Sequence, residues 1–284
     1  MAIRFETRSA RLNGHTILRV LPRAHRRMVG PFIFIDMMGL WNFSAGTGLD
    51  VPPHPHIGLS TLTYLFEGAL LHQDSLGNVV TIRPGELNWM TAGTGIVHSE
   101  RQPHALIEKN HVLSGMQCWA ALPEDQTEIA PGFLHLDADS IPFAQQDGCS
   151  IRLLVGTAYG LQSPIPAYQP MFFVDVSFLQ NSSLPHPNPG HEALLYVFSG
   201  EVKLGQEIFL PGDFALLEAS DVIQADQGTR ALILGGEAWP VQPYIDWNFV
   251  AFSKQRIEQA KADWRLRRYP EIPGDRDEFI LLPE

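Results

Sequence analysis

The chain has 284 residues, room for two domains of ordinary size, and its 45% apolar content can bury a core without disulfide or metal staples. Twenty Lys and Arg against 31 Asp and Glu leave a net charge of −11, which disfavours direct contact with nucleic acid or anionic membrane, since both demand cationic patches. Two cysteines, Cys118 and Cys149, exclude a disulfide framework and a thiolate zinc cluster, and with no apolar leader and no long apolar run the chain is expected to be soluble and cytoplasmic.

In chain order, strand signals recur and helix signals are few. Leu59–Phe66, Val79–Arg83, Met171–Phe178, Ala193–Phe198 and Ala231–Leu234 are short and rich in Val, Ile, Thr, Tyr and Phe. Each is bounded by Gly, Pro, Asn or Asp, as strands are. With 24 Gly and 22 Pro punctuating them, these segments predict an all-β protein of sandwich or barrel type. One helix is predicted, over about 253–267. Ser253 is placed to cap it, Ile257, Ala260 and Trp264 form its apolar stripe, and Pro270 and Pro273 stop it. The tail Asp275–Glu284, acidic and then apolar, is expected to pack back on the first domain.

A comparison of the chain with itself finds a duplication. Residues 53–68 and 185–200 align without gaps and are identical at Pro53/Pro185, His54/His186, Pro55/Pro187, Gly58/Gly190, Leu62/Leu194, Tyr64/Tyr196, Phe66/Phe198 and Gly68/Gly200. Each copy is followed by a Pro-Gly pair, Pro84-Gly85 or Pro211-Gly212. One β-domain repeated is the reading, divided as 1–135 and 136–284, with the helix and tail at the end of the second part.

The first copy carries the chemistry. His54-Pro55-His56 and His98-Ser99-Glu100 each place two donors at i and i+2, on one face of a strand. If the two strands are neighbours, His54, His56, His98 and Glu100 converge on one metal. Three imidazoles and a carboxylate without sulfur suit one divalent ion of iron, manganese, nickel or zinc, with coordination positions left for water, O2 or substrate. Glu100 doubles as the candidate catalytic base. Carrying the strand parity onward without a bulge puts Ser60, Leu62, Tyr64 and Phe66 on the same side, as an apolar pocket for a planar aromatic substrate. His72, His104 and His111 read as hydrogen-bonded or surface histidines. In the second copy Asn188 replaces His56, and Gln224 and Asp226 fall where His98 and Glu100 stand, so that barrel is expected to hold no metal.

The stretches Gly30-Pro-Phe-Ile-Phe-Ile-Asp36, His54-Pro-His-Ile-Gly58, Tyr64-Leu-Phe-Glu-Gly68, His72-Gln-Asp-Ser-Leu-Gly-Asn78, Pro84–Glu100 and Gly115-Met-Gln-Cys-Trp119 resemble the pirin family of the cupin superfamily. The resemblance implies a bicupin of two antiparallel jelly-roll β-barrels with a short C-terminal helix. It implies iron, as Fe(II), in the N-terminal barrel, held by His54, His56, His98 and Glu100. It also implies one of two activities: a quercetin 2,3-dioxygenase (quercetinase) that opens a flavonol with O2, or an iron-dependent redox-sensing regulator that acts through a protein partner. The chain departs from many pirins at Ser60, where a Glu is common, and at Trp247–Ser253, where a Gly-rich segment is common. These departures bear on the substrate more than on the metal.

Overall fold

A computed structural model describes residues 3–12 and 14–283. The chain folds as two compact units that do not follow a single cut in the sequence. One comprises Met1–Arg8, Val20–Ile33 and Asp139–Pro240; the other comprises Ser9–Arg19, Phe34–Ala138 and Val241–Glu284. The fold is mostly β, two barrels of antiparallel sheet with a short C-terminal helix, as the periodicity requires.

In the second of these units a four-stranded sheet runs in the order Asp50–His56, Ile96–Arg101, Leu70–Asp74, Val79–Ile82. It accompanies a seven-stranded sheet in the order Gly132–Leu136, Leu87–Thr91, Leu59–Glu67, His111–Ala121, Phe32–Phe43, His15–Leu21, Arg8–Leu12. The other unit repeats the smaller sheet in the same order of connection: Ser182–Pro185, Val222–Ala225, Val202–Leu204, Glu207–Phe209. The duplication read from residues 53–68 and 185–200 is therefore a duplication of topology. The barrel around Ser182–Pro185 is packed with side chains such as Ile151, Leu153, Phe172, Val176, Leu195 and Ile233, all buried. That filling leaves it a solid core.

The helix is Lys254–Arg265, and Ser253 caps it by accepting the Arg256 N–H at 3.2 Å. Ile257, Ala260 and Trp264 are its buried residues, and they pack with Ile57, Val97, Phe249 and Ile272. Helix and tail thus belong with the strands that carry His54, His56 and His98. The anchor of the tail is polar as well as apolar. Arg101 donates to Asp275 at 2.9 and 3.0 Å and to Glu278 at 2.8 Å, and it also pairs with Asp50. Beyond them Ile280 N–H donates to the Pro53 carbonyl at 2.9 Å, and Trp264 Nε1 donates to the Ile280 carbonyl at 2.9 Å. Among the described residues no helix is long and apolar enough to cross a membrane.

Candidate metal centre

The strands Asp50–His56 and Ile96–Arg101 pair antiparallel with His98 opposite His54 and Ile96 opposite His56. The i, i+2 spacing turns His54 and His56 to one face, and the pairing sets His98 beside them. One ligating nitrogen from each of the three lies within 4.8 Å of the others. All three side chains are buried, at most 6% exposed.

The ring nitrogens divide cleanly between partners and emptiness. His54 Nδ1 lies 2.9 Å from the Pro52 carbonyl oxygen, to which it donates. His56 bonds the Asn248 backbone, and its Nδ1 has no hydrogen-bond partner. His98 Nδ1 lies 3.4 Å from His72 Nδ1, and its Nε2 has no partner. A buried polar atom left unpaired costs about 1–3 kcal/mol, so two such nitrogens within one three-histidine cluster fit a bound cation. Burial, the largest cause, pulls His54 down to about 4 and holds His56 and His98 well below the ordinary imidazole value, and the mutual repulsion of the rings adds to it. At neutral pH the rings are therefore neutral, the form that binds metal. Three neutral imidazoles fit a divalent transition ion.

Glu100 stands in the same cavity but outside the radius that groups the three imidazoles. Its neighbour explains the offset. A uniform ladder would set Glu100 opposite Pro52, yet it faces Val51, because Asp50–His56 carries an extra residue at Pro52-Pro53. A bulge at prolines costs little, since they have no N–H to lose from the ladder. Burial pushes the Glu100 carboxyl up, against an opposing pull from His72 and Thr63. The Thr63 hydroxyl is shared between Glu100 Oε1 at 3.4 Å and Gln117 Oε1 at 2.8 Å.

The cavity measures about 350 Å³. One wall is aromatic: Phe34 and Trp119 stack at 4.0 Å and 15°, and Trp119 meets His56 edge-on at 5.0 Å. Arg19 lies over Phe34 at 4.6 Å and is held by Asp36 through hydrogen bonds of 2.8 and 2.7 Å. The opposite wall is aliphatic, with Ile17, Met38, Val51, Leu70 and Ile280.

None of Ser60, Leu62, Tyr64 and Phe66 lines this cavity, which corrects the parity expectation. Gly58, at φ +66°, turns the chain between the Asp50–His56 and Leu59–Glu67 strands and resets which residues face inward. Trp119 pairs with Thr61 and Gln117 with Thr63, so the odd-numbered residues share the cavity face. The even-numbered ones face away: Ser60 Oγ bonds Thr91 Oγ1 at 3.1 Å, and Leu62 pairs with Trp89. Sequence reasoning did not place Phe34, Gln117 and Trp119, which reach the cavity from distant strands. Within the departure noted at Trp247–Ser253, Trp247 and Asn248 line it from the turn between Tyr244–Asp246 and Phe249–Ala251. His72, read as a hydrogen-bonded histidine, is one: it meets Asp74 Oδ2 at 3.1 Å and His98 Nδ1 at 3.4 Å.

The second copy also departs from its alignment. Pro185 pairs with Val222, so the next step of the register sets His186 by Asp221. Burial, the largest cause, lowers His186, against an opposing attraction from Asp221. Gln224 and Asp226 line a separate polar depression with Ser183 and Lys203.

Comparisons with known proteins give the family and the fold. A family model described as Pirin matches residues 14–120, and one described as Pirin C-terminal cupin domain matches 173–270. A pirin-like protein from Caulobacter vibrioides is 43% identical over 99% of this chain and 98% of its own. A crystal structure titled quercetin 2,3-dioxygenase, from Acinetobacter baumannii, superposes with a TM-score of 0.90 at 33% identity, covering 100% of this chain and 95% of that one. A bacterial pirin from Escherichia coli, solved with nickel(II), shares the fold at a TM-score of 0.66 and 22% identity, over 84% of this chain and 100% of that one.

Proposed function

The chain belongs to the pirin family, and from that premise we propose that it is an Fe(II)-dependent dioxygenase that opens flavonols with O2. The observation that carries this reading is the pair of unpartnered imidazole nitrogens, on His56 and His98, beside an aromatic wall. The Acinetobacter protein's title supports the same substrate class. The cavity's size also fits: about 350 Å³ accepts a planar three-ring ligand, and the stacked pair of Phe34 and Trp119 gives it an aromatic wall.

His54, His56 and His98, with Glu100 as the fourth donor in the same cavity, would hold the metal, which when bound supplies a Lewis acid and brings the flavonol and O2 together. Glu100 accepts the proton of the flavonol 3-hydroxyl. Its buried carboxyl, raised above the usual range, has the proton affinity such a base needs. The Thr63 hydroxyl, which Gln117 Oε1 also accepts, stands beside that carboxylate at 3.4 Å. The aliphatic wall excludes water from the reacting face.

The test is direct. Metal-free protein is loaded with Fe(II) under nitrogen, a flavonol is added, air is admitted, and oxygen uptake is followed with the flavonol absorbance. Stoichiometric loss of both supports the reading. Uptake no greater than that of His54→Ala overturns it and leaves a metal-binding module without turnover.

A further inference from the structure

We propose that His72 and Asp74 are positioning residues that hold His98 in the one tautomer able to bind metal, an inference that rests on the three imidazoles being the metal site. The strand Leu70–Asp74 lies against Ile96–Arg101 with Asp74 opposite His98 and His72 opposite Glu100. His72 is buried and stacks on Phe133 at 4.4 Å and 14°, so its ring plane is fixed. Its Nε2 lies 3.1 Å from Asp74 Oδ2, and its Nδ1 lies 3.4 Å from His98 Nδ1. One proton fits between the two Nδ1 atoms. Since His98 Nε2 is the buried nitrogen without a partner, that proton sits on His98 Nδ1 and is donated to His72. His72 must then carry its own proton on Nε2, which it donates to Asp74.

Asp74 is built to receive it. The residue is fully buried, and its Oδ1 accepts the backbone N–H of Leu76 at 2.9 Å and of Asn78 at 3.1 Å. Those two backbone donors, with Asn78 Nδ2 donating to Oδ1 at 3.1 Å and to Oδ2 at 2.8 Å, fix the carboxylate with Oδ2 turned to His72. The chain Asp74–His72–His98 thus ends on a bare Nε2. Outer partners of this kind orient a ligating imidazole, and their loss typically weakens metal binding by about 10–100-fold.

Substitutions separate this from mere packing. His72→Phe keeps the stack on Phe133 and removes the acceptor. His72→Asn returns an oxygen near the former Nδ1. Asp74→Asn keeps its oxygen on the Leu76 and Asn78 backbone amides and turns an NH2 towards His72, with the Asn78 side-chain amide turning its oxygen to accept from that NH2, which reverses every proton along the chain and protonates His98 Nε2. Two readouts are needed: long-range 1H–15N correlation of the imidazoles in metal-free protein at neutral pH, and nickel(II) affinity by chelator competition.

The expected results are an Nδ1–H tautomer at His98 in the wild type and a shift of that proton to Nε2 in Asp74→Asn. Nickel affinity should fall about 10–100-fold in His72→Phe and Asp74→Asn and recover to within a few-fold in His72→Asn. An Nε2–H tautomer at His98 in the wild type overturns the proposal, whatever the variants do. So do affinities within twofold of wild type in both His72→Phe and Asp74→Asn. A wild type that retains no nickel instead overturns the metal site itself, and its ring assignments tell that failure from this one.

Discussion

At the level of single residues, the expected ligand set His54, His56, His98 and Glu100 mixes two chemistries, since a carboxylate can both bind metal and take a proton. The three imidazoles meet within 4.8 Å, whereas Glu100 stands apart with Thr63 on its carboxylate. Glu100→Gln should therefore keep most of the bound metal and lose flavonol turnover by about 100-fold or more, the usual yield of a general base. Metal analysis beside oxygen uptake checks both halves, and equal activity in the variant removes the base role. His54→Ala should lose the metal as well. The triad was legible because His54-Pro-His56 and His98 are local patterns whose strand geometry needs no knowledge of the fold. The walls were not. Trp119 and Phe34 reach the cavity through pairing between distant strands, and one left-handed glycine was enough to turn Ser60, Leu62, Tyr64 and Phe66 away.

At the level of strands and segments, Gly58 is the joint on which the site depends. It holds φ at +66°, its N–H donates to the Gly93 carbonyl at 2.9 Å, and a Cβ there would collide with the Val250 carbonyl. Gly58→Ala should cost about 2 kcal/mol for the backbone conformation, before any collision, and should displace His56, two residues away. Urea unfolding and retained metal are the measurements; wild-type values for both would show that the joint tolerates a side chain. The tail makes a similar case. Arg101→Ala leaves Asp275, whose side chain is 11% exposed, without its cation. A loss of about 2 kcal/mol and early proteolytic cleavage within Asp275–Pro283 are expected, read by thermal unfolding and mass spectrometry. The duplication and the helix were foreseeable from pattern. That the helix joins the unit bearing His54 was less so, since Ile257 and Trp264 reveal a buried face without revealing what buries it.

At the level of the whole molecule, the same three histidines tie stability to pH. Burial keeps their folded-state proton affinity low, with His54 at about 4, while an unfolded chain takes those protons near 6.5. The unfolded state then binds more protons below 6.5, so stability present above that pH is withdrawn as the pH falls towards 4. The stabilising contribution is complete at neutral pH and above. For His54 the withdrawal between pH 7 and pH 5 is roughly 2 kcal/mol. Metal opposes the effect, because it binds the native triad in the form that acid removes. Denaturant unfolding of metal-free wild type and of His54→Gln at both pH values isolates the group, since other titrations are common to the two proteins. The wild type should lose roughly 2 kcal/mol more than the variant across this interval, and saturating nickel(II) should shrink the difference. Parallel losses in the two metal-free proteins would mean that His54 is not held neutral by the fold, and would remove the electrostatic basis for a preformed ligand set.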